Sequence, residues 1–198
     1  MPRSVGMGGW ARRVRLAGWK TWRRLWRLWE LPFEWVTATF EEQNDLDDVQ
    51  IVIFHNEDHT HPVKTITTAD GGTATASLNT GDYWFKASKE HYEEYTSSKK
   101  EIDEDKTIDF TMVAKEYTVT FDEQNDEEDV EIAIYNDEDR TDPVEGSPIT
   151  TGEGGTATID LTYGTYYYTA SKDGYVDEEG EFTVEEDKTV EFTMLAED

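Results

Sequence analysis

Apolar side chains between residues 36 and 113 fall on alternate positions in short runs. The runs are Val36-Ala38-Phe40, Val49-Ile51-Ile53, Ala74-Ala76-Leu78, Tyr83-Phe85-Ala87 and Ile108-Phe110-Met112. Threonine and charged residues take most of the places between them. A period of two predicts strands with one face buried and one wet, and threonine suits the wet side of a pleated surface. The pattern returns downstream as Tyr117-Val119-Phe121, Val130-Ile132-Ile134, Ala157-Ile159-Leu161, Tyr166-Tyr168-Ala170, Phe182-Val184 and Val190-Phe192-Met194. Gly71-Gly72, Gly154-Gly155, Asn79-Thr80-Gly81 and Tyr163-Gly164 punctuate the runs as turns.

The second set of runs repeats the first. Phe40 aligns with Phe121, Gln43-Asn44-Asp45 with Gln124-Asn125-Asp126, Gly71-Gly72-Thr73-Ala74-Thr75 with Gly154-Gly155-Thr156-Ala157-Thr158, and Phe110-Thr111-Met112 with Phe192-Thr193-Met194. The offset drifts from 81 to 83 and back to 82, which places the insertions and deletions in loops. Each copy is the size of a small domain rather than of a solenoid repeat. The expected organisation is an arm at 1–35, a β-sandwich at 36–115 and a second at 116–198. With six or seven short antiparallel strands per copy, the fold class is all-β: two tandem antiparallel β-sandwiches behind a helical arm.

The arm has a different period. Trp19, Trp22, Trp26 and Trp29 step by three and four, so they share one helical face, which Leu25 and Leu28 widen. Arg12, Arg13, Lys20, Arg23, Arg24 and Arg27 populate the other sides, and Pro32 ends the helix. Trp19, Trp22, Trp26 and Trp29 with Arg23, Arg24 and Arg27 are the expected assembly anchor. Three uses compete for it. A Trp/Arg helix fits a groove of a partner protein or its own copies. A basic amphipathic helix also lies in a membrane interface, and arginines contact nucleic acid. The first is preferred.

Charge sharpens the division. The formal net charge is −27, but the first 35 residues hold eight Lys/Arg against Glu30 and Glu34, leaving +6, while the rest holds 10 Lys/Arg against 43 Asp/Glu, leaving −33. So acidic a body repels nucleic acid and itself, and molar salt screens that repulsion. The composition reads as a surface adapted to brine. Cysteine is absent, which excludes disulfides and thiolate metal sites. There is no run of 18 apolar residues to span a bilayer. Nor is there an uncharged apolar stretch of secretory-leader length, so the chain is expected to be used without conventional export.

The stretch Thr150 to Leu161, followed by Tyr163-Gly164-Thr165-Tyr166 and Lys172-Asp173-Gly174-Tyr175, resembles the carboxypeptidase-regulatory-like family. The first copy departs at the last element, with Lys89-Glu90-His91-Tyr92. The resemblance covers both modules and none of the arm. It implies a transthyretin-like or immunoglobulin-like sandwich serving as a spacer, adhesion or assembly module, with no catalytic residues to carry over.

Candidate chemistry is sparse. His55, His59 and His61 with Glu57 and Asp58 have the residue types of a zinc or nickel site, yet the second copy places Asn136, Arg140 and Asp142 there, and a plain polar loop is preferred. The runs Asp45–Asp48, Asn56–Asp58, Asp126–Asp129 and Asp137–Asp139 are the candidate holders of a structural calcium. They lack the spacing of an EF-hand, and salt adaptation explains them more simply; no cofactor is expected. Trp84, Tyr95, Tyr163 and Tyr167 are expected to face outward as a surface for contact. No nucleophile–base pair or phosphate loop appears, and no enzyme is expected. These features together predict a structural accessory protein of a virion, one infecting a halophilic archaeon, with its arm docked on other structural proteins. Its sandwiches would project in several copies and touch a host-surface glycan or glycoprotein. The alternatives are a cell-surface or peripheral-membrane adhesin of such an archaeon, or a carbohydrate-binding module.

Overall fold

The predicted alternation begins in β1 (Trp35–Glu42), where Val36, Ala38, Phe40 and Glu42 point inward and the residues between them do not. The computed structural model describes residues 34–197. Their order continues with β2 (Gln50–Phe54), β3 (Pro62–Thr67), β4 (Thr73–Asn79), β5 (Gly81–Ser88), β6 (Tyr95–Thr96), β7 (Lys100–Ile102) and β8 (Lys106–Phe110). The second copy supplies β9 (Glu116–Glu123), β10 (Glu131–Tyr135), β11 (Ile149–Thr150), β12 (Thr156–Thr162), β13 (Gly164–Ser171), β14 (Tyr175–Val176), β15 (Glu178–Val184), β16 (Lys188–Phe192) and β17 (Leu195–Ala196). The described residues are all-β. The anchor residues Trp19, Trp22, Trp26, Trp29, Arg23, Arg24 and Arg27 lie outside them.

Each copy is a two-sheet sandwich. In the first, the sheet β4-β1-β8 faces β3-β2-β5, with β6 and β7 both paired to β5. In the second, β12-β9-β16 faces β11-β10-β13-β15, and β14 pairs with β17. Two separate cores result. Phe40 meets Phe85 edge-on at 5.1 Å in one, and Phe121 meets Tyr168 at 5.3 Å and Phe182 at 5.4 Å in the other. One pairing departs from the antiparallel expectation. β1 runs parallel to β8, and β9 parallel to β16. A period of two says which face a residue takes and is silent on strand direction.

The last inward position of β1 and of β9 holds a carboxylate. Glu42 and Glu123 are 2% and 0% exposed. Glu123 Oε2 accepts from the backbone N–H groups of Asn125 (2.8 Å) and Glu127 (2.9 Å), and its Oε1 accepts from Met194 N–H (2.9 Å). Glu42 repeats this with Asn44, Leu46 and Met112. The carboxylate thus ties the loop after the first strand to the segment after the last, satisfying amides that would otherwise be buried without partners. Gly72 and Gly155 sit against the same loop in the left-handed region, at φ +67°, so close that a Cβ would lie 2.7 Å and 2.8 Å from the backbone oxygens of Glu42 and Glu123. The acidic loops have a conformational reason as well. Asp45, Asp48, Asp126 and Asp129 all take positive φ, which aspartate tolerates better than most residues.

Candidate functional site

The outer faces of the sheets carry a repeated aromatic pair. Phe54 at the end of β2 lies opposite Trp84 on β5, and Tyr135 at the end of β10 lies opposite Tyr167 on β13. A loop residue with positive φ stands at the matching place in each copy: His59 meets the Phe54 ring edge-on at 5.0 Å, and Arg140 pairs with Glu179 at 3.3 Å. Trp84 and Tyr167 are half-buried rather than free platforms. Partial desolvation, then the Glu181 and Glu138 carboxylates, push the Tyr167 hydroxyl above its usual range. The acidic surroundings disfavour further negative charge on this face.

Tyr95 is a correction. It packs onto the first core, stacked on Phe85 at 5.5 Å and tilted against Phe110 at 5.5 Å. The strand β6 is only two residues long, too short for alternation to orient it.

Tyr163 is exposed, yet it has a partner across the two modules. The His91 ring stacks on it at 4.0 Å with an interplanar angle of 14°, while His91 Nδ1 lies 3.1 Å from the Tyr117 hydroxyl. His91 has φ +62°, and the matching Gly174 has φ +82°. Glycine holds this conformation without cost, and histidine does not. The first copy therefore departs from the Lys-x-Gly-Tyr spelling at the residue whose side chain bridges to the next module. Backbone bonds from Lys115 N–H to the His91 carbonyl (2.9 Å) and from Glu93 N–H to the Val113 carbonyl (2.8 Å) fix the same joint.

The histidines of the β2–β3 loop do not converge. His55 lies over Tyr83, His59 packs on Phe54, and His61 bonds Asn56 and Thr60. Among the described residues no group of three or more His, Cys, Asp or Glu comes together to hold a metal ion. Asp58 and Asp137 are held below the usual carboxylate range chiefly by the hydroxyls of Thr60 and Thr141, so these carboxylates serve their own turns. Glu127 is tied by Lys172 Nζ at 2.6 Å and the Tyr175 hydroxyl at 2.7 Å. These two donors hold its carboxyl low, and its charge pushes Lys172 and Tyr175 up. The buried hydroxyls Thr68 and Thr151 each bond backbone on both sides, accepting from Val49 and Val130 N–H and donating to the Leu46 and Glu127 carbonyls. These contacts tie loops to strands. Sequence reasoning missed His91, Glu42 and Glu123. The repeat carried a signal for each: an identity at Glu42/Glu123 and a Gly-to-His difference at 174/91.

No family model matches the chain, and no curated protein does. The carboxypeptidase-regulatory-like resemblance therefore rests on its residues alone. Among solved structures the chain is similar to the TIE protein of Bacillus anthracis, with 22% identity and a TM-score of 0.53, covering 82% of this chain and 34% of that one. The chain thus spans about a third of that relative's length. Weaker matches include GBS52, the minor pilin of Streptococcus agalactiae (17% identity, 81% and 95% coverage, TM-score 0.34). Another is a C-terminal fragment of the pilus adhesin SpaC from Lactobacillus rhamnosus GG (10% identity, 83% and 98% coverage, TM-score 0.38). The fold is an Ig-like β-sandwich, in tandem.

Proposed function

We propose that this chain is a non-enzymatic display protein: two sandwiches locked in series and held out from a surface by the Trp/Arg arm. The observation that carries this is the joint, where His91 accepts a strained backbone to place its ring on Tyr163 and beside Tyr117. A stalk needs such stiffness, whereas two independent ligand modules do not. A cell-surface or extracellular setting is part of this reading. The body's charge of −33 suits brine, and the carboxypeptidase-regulatory-like spelling fits a spacer or adhesion module.

The site of display is the finer part of the proposal. A basic arm in which arginines alternate with tryptophans favours docking into a protein assembly, the virion of a tailed virus of a halophilic archaeon. The archaeal cell surface is the second reading, with the arm in the membrane interface. Several copies around a symmetric mount are expected in the first case. External protease and a membrane-impermeant lysine label, applied to intact particles and intact cells, test display itself. Modification of Lys86, Lys99 and Lys106 without lysis supports it; protection of all three until lysis overturns it.

A further inference from the structure

The two modules differ at one edge. In the second, the chain after β10 dips inward: Val144 is 8% exposed, Ser147 Oγ accepts from Ile134 N–H at 2.7 Å, and Gly146 lies against Ile159 of β12. β11 is only two residues long, and β10 is otherwise met on this side by the Tyr135–Pro143 bridge and the Val144 N–H bond to the Ile134 carbonyl (3.0 Å). In the first, β3 runs for six residues along β2 with one register shift at Ile53/Phe54, Val63 is 42% exposed, and a gap between β3 and β4 stays open. The result is a cleft of about 340 Å³ lined by Trp35, His55, Lys64, Ser77, Asn79 and Tyr83, with Leu78 and Val63 beside them. That volume is at the lower end for a small-molecule site.

Its lining is unlike the rest of the body, which carries 43 Asp/Glu: among the described residues no carboxylate lines this cleft. The matching positions of the second module hold Glu116, Glu145 and Asp160 in place of Trp35, Lys64 and Ser77. Trp35 is 66% exposed, an indole with a free face. Asn79 adds a half-buried side-chain amide to the lining. His55 is fixed over the Tyr83 ring at 4.7 Å.

We propose that this cleft binds a single pyranose residue of a surface glycan. The sugar's C–H face lies on the Trp35 indole, and Ser77, His55, Lys64 and the Asn79 amide group meet its hydroxyls. Lys64 in a carboxylate-free lining also admits a uronic acid. The inference deepens the display reading by naming what the displayed module touches, and it rests on that reading only for where such a glycan is met.

The test is an NMR titration of the full chain with methyl glucoside and, separately, methyl glucuronide. The wild type is expected to show saturable shifts at the Ser77, Asn79 and Tyr83 amides. Trp35→Ala is expected to weaken binding about tenfold or more, and Lys64→Glu to weaken the glucuronide more than the glucoside. Trp84→Ala, on the outer face, should titrate like wild type. Amide spectra away from the cleft verify that each variant is folded. The proposal is overturned if neither sugar moves the cleft amides up to its solubility limit, or if Trp35→Ala titrates like wild type. It is overturned equally if the amides shift only when residues 1–33 are removed, which would make the arm the occupant. Any of these leaves surface labelling unchanged, so display and glycan binding fail separately.

Discussion

Replacing Glu123 by glutamine tests whether one buried carboxylate organises a module. Its oxygens accept three backbone N–H groups, from Asn125, Glu127 and Met194. Glutamine keeps one acceptor oxygen and turns an NH₂ toward at least one of those donors. A buried donor left unpaired costs about 1–3 kcal/mol, and the remaining bonds lose their charge assistance. A loss of roughly 2–4 kcal/mol is expected, against roughly 4–12 kcal/mol for a domain of about 80 residues. With a urea slope of roughly 1–2 kcal/mol/M for so small a unit, the midpoint of the second module falls by about 1–4 M. Urea titration followed by NMR, with separate amide signals for each module, reads this directly. The first module should hold its midpoint in Glu123→Gln and lose it in Glu42→Gln. Amide exchange should accelerate first at Asn125, Glu127 and Met194. A Glu123→Gln midpoint within about 0.3 M of wild type would refute the reasoning, because the three amides would then be satisfied without the charge.

Other expectations follow from single contacts. Gly155→Ala should destabilise the second module by at least about 1 kcal/mol more than Gly154→Ala, since both have positive φ but only at Gly155 does a Cβ meet backbone, 2.8 Å from the Glu123 oxygen; paired thermal melts compare them. The Glu127 carboxyl lies below its ordinary value of 4.5 because Lys172 and Tyr175 donate to it. A depressed carboxyl stabilises the fold above its unfolded value and loses that contribution as pH falls through the folded one. Melts from pH 6 to 3 should therefore show a steeper acid loss in the second module than in Glu127→Gln; Leu46 stands at this place in the first module. His91→Gly should leave the first module as stable or more so yet free the two modules from each other, so that residual dipolar couplings need two alignment tensors where wild type needs one. The melting temperature of both modules should fall as KCl drops from molar to dilute, as expected for a body of charge −33; a melt independent of salt contradicts adaptation to brine.

Much of the sandwich was legible because its strands bury one face. Val36-Ala38-Phe40 and Val130-Ile132-Ile134 are inward where the period of two placed them. The rest depended on partners that periodicity does not name. Tyr95 lies on a two-residue strand and turned out to be a core neighbour. Trp35, grouped with the arm by composition, is the first residue of β1 and pairs with Asn79. Glu42 and Glu123 looked like more of the acidic surface, because burial of a carboxylate is only intelligible once three amides converge on it. His91 was visible as a departure from glycine, but its meaning lay in Tyr163 and Tyr117, 72 and 26 residues further on. The aromatic pairs on the outer faces depended on cross-strand register, which sets Trp84 against Phe54 and Tyr167 against Tyr135.

The central claim is that the arm holds the doubled sandwich to a larger assembly. A chain starting at Glu34 and the full chain, expressed side by side in the native host and followed through fractionation of particles and envelopes, test it most directly. The account predicts that the shorter chain folds with the same amide spectrum for both modules but stays in the soluble fraction, while the full chain is recovered with particles or envelopes. Equal recovery of the two would contradict it.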